Sequence, residues 1–105
     1  MIRVSVLYPS QESTTFNFDY YLQTHMALVK ERLGDLLVRC EADKALANGA
    51  NPKAAPALHC IGHLYFQSME DMQKGMGTHG RELMADIPNF TNTQPMVQIS
   101  EVVEV

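Results

Sequence analysis

Two side chains that could do chemistry, Tyr21 and His25, stand four residues apart in the stretch Asn17-Phe18-Asp19-Tyr20-Tyr21-Leu22-Gln23-Thr24-His25-Met26. On a helix that spacing puts a phenol and an imidazole on one face, one turn apart. Histidine titrates near neutrality, so His25 is the candidate general acid or base and Tyr21 a group that orients it or contacts substrate. The plainer reading is structural, with His25 satisfied by Tyr21 or a backbone carbonyl. Further imidazoles occur at His59, His63 and His79. His59 and His63 lie in a strand-like run, where four residues span roughly 13 Å, too far for one metal ion to bridge. No carboxylate stands at a recognisable ligand offset and no Gly-rich phosphate loop is present, so neither a metal nor a nucleotide cofactor is expected.

The elements that must position these residues are readable from periodicity. Ile2, Val4, Val6 and Tyr8 alternate with Arg3, Ser5 and Leu7, which predicts a strand stopped by Pro9-Ser10. Asn17 is a candidate N-cap and Asp19 suits the positive end of the dipole. Phe18, Leu22, Met26, Val29 and Leu33 then form the expected core stripe, with Tyr21, His25, Leu28 and Arg32 as a neighbouring row, and Gly34 closes the helix. A second strand is expected over 36–43, followed by a Gly- and Pro-containing loop at 48–56.

The third strand, 58–67, has Leu58, Cys60, Gly62, Leu64 and Phe66 on one face and His59, Ile61, His63, Tyr65 and Gln67 on the other. Ser68 with Asp71 resembles a capping box that opens a helix carrying Met69, Met72, Met76, His79 and Leu83. Gly75, Gly77 and Gly80 predict that this helix loosens near Thr78-His79-Gly80. The last strand is expected over 94–105, with Gln98 and Ser100 on one face and Val97 and Ile99 on the other.

This order, βαββαβ, predicts a ferredoxin-like α+β fold: an antiparallel four-stranded sheet with both helices on one face. The chain of 105 residues suits a single domain over residues 1–105. The open sheet face then carries His63, Tyr65, Gln98 and Ser100 among Ile61, Met96 and Val102. Its two readings are a ligand site and a seam between two copies of the chain.

Composition narrows the partners. Eight basic against twelve acidic residues give a formal charge of −4 without any basic run, which argues against nucleic acid. No apolar run reaches membrane-span length, and the amino terminus leads straight into strand-like sequence, so a cytoplasmic protein is expected. Cys40 and Cys60 lack the spacing of a redox or zinc motif and read as free, buried thiols.

Three stretches together resemble the EthD family of the dimeric α+β barrel superfamily. Met1 to Pro9 matches the family's opening strand. Phe16, Asp19, Tyr20, Tyr21, His25, Met26 and Leu28 match its first helix, with Ala27 where proline is usual. Asp86-Ile87-Pro88-Asn89-Phe90-Thr91 and Gln98-Ile99-Ser100-Glu101-Val102 match its late motifs. The resemblance covers the whole length. It implies a homodimer built through the open sheet faces and a role beside catabolic oxidation systems such as ethyl tert-butyl ether degradation.

Relatives on this barrel include cofactor-free oxygenases, isomerases and cyclases, so fold alone does not choose the chemistry. The expectation is a small-molecule site for an apolar, oxygen-bearing compound. His25 would be catalytic, and Tyr21, His63, Tyr65, His79 and Gln98 would contact substrate. The alternatives are a non-catalytic accessory protein and a cofactor-free isomerase or cyclase.

Overall fold

The computed structural model describes residues 1–105 as four strands and two helical arms. Strands β1 (Ile2–Pro9), β2 (Arg39–Lys44), β3 (Leu58–Phe66) and β4 (Met96–Glu101) form one antiparallel sheet in the order β2-β3-β1-β4. The first arm runs through α1 (Phe18–Tyr20), a π-helical turn (Tyr21–His25) and α2 (Met26–Leu33); the second is α3 (Met69–Ala85). Both arms lie on one face of the sheet, where Ile2, Val4, Tyr8, Cys60, Leu64 and Phe66 meet Tyr21, Met26, Val29, Leu33, Met72 and Leu83. This is the ferredoxin-like arrangement that the alternation and element order predict.

The caps form as expected. The Asn17 side chain accepts from the Tyr20 N–H, the Ser68 hydroxyl oxygen accepts from the Asp71 N–H, and Gly34 ends α2 at a φ of +51°, where a glycine is favoured.

The first arm departs from a plain α-helix, and this corrects the expected core stripe. The Met26 N–H reaches back five residues to the Tyr21 carbonyl, so the turn holds an extra residue and the register shifts. Leu22 is therefore 52% exposed, and Tyr21 and His25 take the buried row with Met26, Val29 and Leu33.

The expected break in α3 is also absent: the helix runs unbroken through Thr78, His79 and Gly80 to Ala85. Gly75 and Gly80 are buried contacts, not breakers. A Cβ on Gly75 would lie 3.0 Å from Leu33 Cδ2, so the missing side chain lets α3 approach α2 closely.

Two strands are shorter than alternation suggests. The turn at Gly34–Leu36 consumes Leu36, so β2 begins only at Arg39. β4 ends at Glu101, leaving Val102 to Val105 outside the sheet. Val97 and Ile99 face the helix side but are each 50% exposed, because β4 is an edge strand that the arms do not cover. The 48–56 loop is organised by Asn48, whose side chain accepts from the Ala50 and Asn51 N–H groups and donates to the Ala55 carbonyl. Both cysteines are free, Cys60 buried and Cys40 half-buried.

Candidate functional site

The site is assembled where the π turn meets the segment after α3. That segment is tied to the end of β1 and the start of the first arm by hydrogen bonds that include Asn17 N–H to the Phe90 carbonyl (2.8 Å), Thr91 Oγ1 to the Thr15 carbonyl (2.6 Å) and Thr93 Oγ1 to the Pro9 carbonyl (2.7 Å). Asp86, which ends α3, is thereby set beside His25. The imidazole Nδ1 donates to Asp86 Oδ2 at 2.9 Å, and Asp86 Oδ1 accepts from the Tyr20 hydroxyl at 2.7 Å and from Asn89 Nδ2 at 2.9 Å.

Three donors thus converge on one carboxylate. Its side chain is only 14% exposed, and burial alone would raise its pKa; the hydrogen bonds from His25, Asn89 and Tyr20 outweigh burial and hold it below the ordinary range. An ionised carboxylate only accepts, so Nδ1 carries a proton toward Asp86, and Nε2 is the nitrogen left to exchange one with a ligand.

The ring is held from its other sides as well. His25 is 5% exposed, lies nearly parallel to Tyr21 at 5.6 Å between centroids, and meets Phe90 at 4.7 Å. Next to it, between sheet and arms, is a cavity of about 30 Å³ lined by Tyr8, Tyr21, His25, Gly62 and a mostly aliphatic wall that includes Val6, Val29, Met84 and Ile87. Gly62 makes room for Tyr21, since a Cβ there would stand 2.5 Å from the phenol oxygen.

Burial raises the pKa of both Tyr8 and Tyr21, so their hydroxyls stay protonated and can only lend or share hydrogen bonds. The Cys60 thiol nearby is pushed up to about 12, chiefly by burial, which leaves it a thiol and not a nucleophile. The arrangement sets one oriented imidazole beside an apolar, water-sized space.

The residues singled out from sequence fall into separate places. Tyr21 and His25 share the cavity. His79 is half-buried on α3, within electrostatic reach of Glu82, and does not line that cavity. His63, Tyr65 and Gln98 lie on the opposite, open face of the sheet. There His63 Nε2 pairs with Asp43 Oδ2 at 2.9 Å, Gln98 donates to Ser100 Oγ, and Tyr65 lies under the Arg39 guanidinium at 3.9 Å. His59 bonds Thr14 Oγ1 at 2.8 Å.

No group of three or more His, Cys, Asp or Glu side chains is placed to hold a metal ion, and no helix is long and apolar enough to cross a membrane. Asp86, Tyr20 and Asn89 were not assigned roles from sequence. The signal lay in the late Asp-Ile-Pro-Asn motif and in the first of the paired tyrosines, both carried by the family resemblance without a function attached.

The sequence profile of the EthD domain matches residues 10–94. No curated protein matches the chain significantly. Among solved structures, an EthD-like protein from Ralstonia eutropha JMP134 is 39% identical, with a TM-score of 0.89 over 98% of this chain and 92% of that one. An ethyl tert-butyl ether degradation (EthD) family protein from Bacillus halodurans C-125 is 17% identical, with a TM-score of 0.69 over 98% and 99% of the two chains. An antibiotic biosynthesis monooxygenase is similar in fold at 15% identity, with a TM-score of 0.56 over 99% and 100%. With the domain profile spanning most of its length, and a solved relative of that kind alike in sequence and fold, this protein belongs to the EthD family.

Proposed function

We propose that this protein binds a small, mostly apolar, oxygen-bearing compound and acts on it by proton transfer at His25, without a nucleotide cofactor. The observation that carries this reading is the buried His25 ring, whose Nδ1 is fixed by Asp86 while its other nitrogen is left free beside an apolar cavity. A base held in one tautomer and one orientation can take a proton from a phenol or enol hydroxyl, or from a carbon next to a carbonyl. In this reading Tyr21, kept protonated by burial and lining the same cavity, steadies the resulting oxyanion. In an oxygenase-type reaction the deprotonated substrate is the electron donor to dioxygen. In an isomerase or cyclase the proton is returned at another atom. The role in catabolic oxidation comes from family membership and is part of this proposal.

A second reading has a specific observation in its favour. The same His25–Asp86 link ties the first arm to the turn after α3, so the protein could hold a ligand in an oxidative pathway without turning it over. A thermal-shift panel of phenols, quinones, lactones and short ethers on wild type and His25→Ala, followed by turnover with whichever compound binds, separates the two. A ligand at a hundredfold its Kd adds about 2.7 kcal/mol, and each kcal/mol moves the midpoint of a domain this size by roughly 4 to 8 °C. Catalysis predicts lost turnover with retained binding in His25→Ala. Unchanged turnover sinks the catalytic role, and unchanged binding with no turnover in either protein removes His25 from the site.

The open sheet face is proposed as a homodimer seam. Arg3, Tyr65 and Arg39 make one rank across it and Leu7, Ile61 and Asp43 another, with Met96 beside Leu7. A twofold axis lying between the two faces and running across the strands lays the Arg3 and Arg39 rank of one copy over the rank of the other that holds Asp43, and covers Leu7, Ile61 and Met96.

A further inference from the structure

The cavity beside His25 is too small for the ligand it would serve. About 30 Å³ accommodates a water molecule, whereas metabolite pockets run from roughly 300 to 1,000 Å³. A wall must therefore move. Val6, Gly62 and Leu64 are strand residues, and Val29, Leu83 and Ile87 are buried in the core. Met84 is the most exposed of the lining side chains, at 42%, and sits on the last turn of α3. It also lines an outer groove of about 310 Å³, whose other walls include Ile87, Thr91, Asn92 and Thr93. From the sheet side, Val97 pairs with Val6 on the same face and carries apolar surface from the cavity wall to the exposed edge.

We propose that Met84 is the door between this groove and the His25 cavity and sets the size of molecule that reaches the imidazole, an inference that rests on reading His25 as a ligand site. Three unbranched thioethers line the cavity, Met26 buried, Met76 half-buried and Met84 exposed, and the exposed one swings at least cost and refits around bodies of different shape. The opened space takes a compact ligand whose apolar body lies against Met84, Val6 and Ile87. One hydroxyl or carbonyl points inward to His25 and Tyr21, and a polar outer end is tolerated by Thr91, Asn92 and Thr93. A substituted phenol or a small enolisable ketone has that form.

The test needs neither substrate nor turnover. Diethyl pyrocarbonate acylates neutral imidazole nitrogen, and peptide mass spectrometry gives its rate at each of the four histidines. Met84→Ala is expected to speed modification of His25 by about tenfold or more, the factor equivalent to about 1.4 kcal/mol off an opening step, with His59, His63 and His79 unchanged. Met84→Trp is expected to slow it. An unchanged His25 rate in Met84→Ala, or an equal rise at all four histidines, overturns the door. Because the readout is access alone, acceleration together with unchanged turnover in His25→Ala would retain the door while ending the catalytic reading.

Discussion

Asp86 is the residue on which the geometry of the site turns, because its two oxygens take the proton-bearing nitrogen of His25, the hydroxyl of Tyr20 and the amide of Asn89. Its folded-state pKa is depressed, so the stabilisation it supplies is complete above the ordinary aspartate range and is lost as pH falls through the lowered value. Asp86→Asn should therefore cost stability at pH 7, by roughly 1 to 3 kcal/mol for charge-assisted hydrogen bonds. The gap between variant and wild type should narrow toward pH 3. Thermal midpoints across that range check it, and a gap that stays constant would mean the charge contributes nothing. His25 was legible in the sequence because its partner Tyr21 is one turn away. Asp86 was not, since 61 residues separate it from His25 and only the fold brings the two together.

At the scale of the element, two glycines make opposite predictions. Gly62 on β3 is filled by the phenol of Tyr21, and a Cβ 2.5 Å from that oxygen has no room unless the ring moves. Gly62→Ala should cost about 1 to 3 kcal/mol as an overpacked site and should loosen the stack of Tyr21 on His25. A Cβ on Gly75 in α3 would crowd the flexible end of Leu33 at 3.0 Å and make ordinary contacts with Leu36 Cδ1 and Phe66 Cε1 at 3.5 Å. The gain of about 1 kcal/mol from replacing a helical glycine offsets that crowding, so Gly75→Ala should be close to neutral. Denaturant midpoints of the two variants test the contrast.

Those glycines also show what local sequence could convey. Caps, strand alternation and element order follow from neighbouring residues and were legible. The glycine cluster in α3 looked like a break because its packing against α2 and β3 is tertiary. The π turn was invisible because the spacing of Phe18, Leu22 and Met26 fits an unshifted α-helix as well, and the inserted residue shows only in the Met26 N–H bond to the Tyr21 carbonyl and the burial of Tyr21 and His25.

For the whole molecule, the alternation on β1 and β3 said that one sheet face would be left without a helix layer, and it is. What covers that face is a matter between molecules. The face has a direction: Arg3 and Arg39 flank Tyr65 toward one end, while Glu41, Asp43 and the His63 paired to Asp43 lie toward the other. Arg3 Nε and His63 Nδ1 are buried without a partner in the single chain, a cost that a rearranged, covered face can relieve. Opposed charge at the two ends favours antiparallel stacking of two copies and penalises a parallel one. Wild type should sediment at twice the 11.8 kDa chain mass. Ile61→Glu adds a charge to the apolar rank beside Asp43, and should give a folded monomer with unchanged far-ultraviolet circular dichroism. Charge reversal at Arg3 should weaken the dimer, and reversal of Asp43 in the same chain should restore part of it. A wild type that is monomeric at micromolar concentration would rule out the seam, and a dimer indifferent to Ile61→Glu would place the contact on another surface, with the exposed β4 edge at Val97 and Ile99 as the next to test.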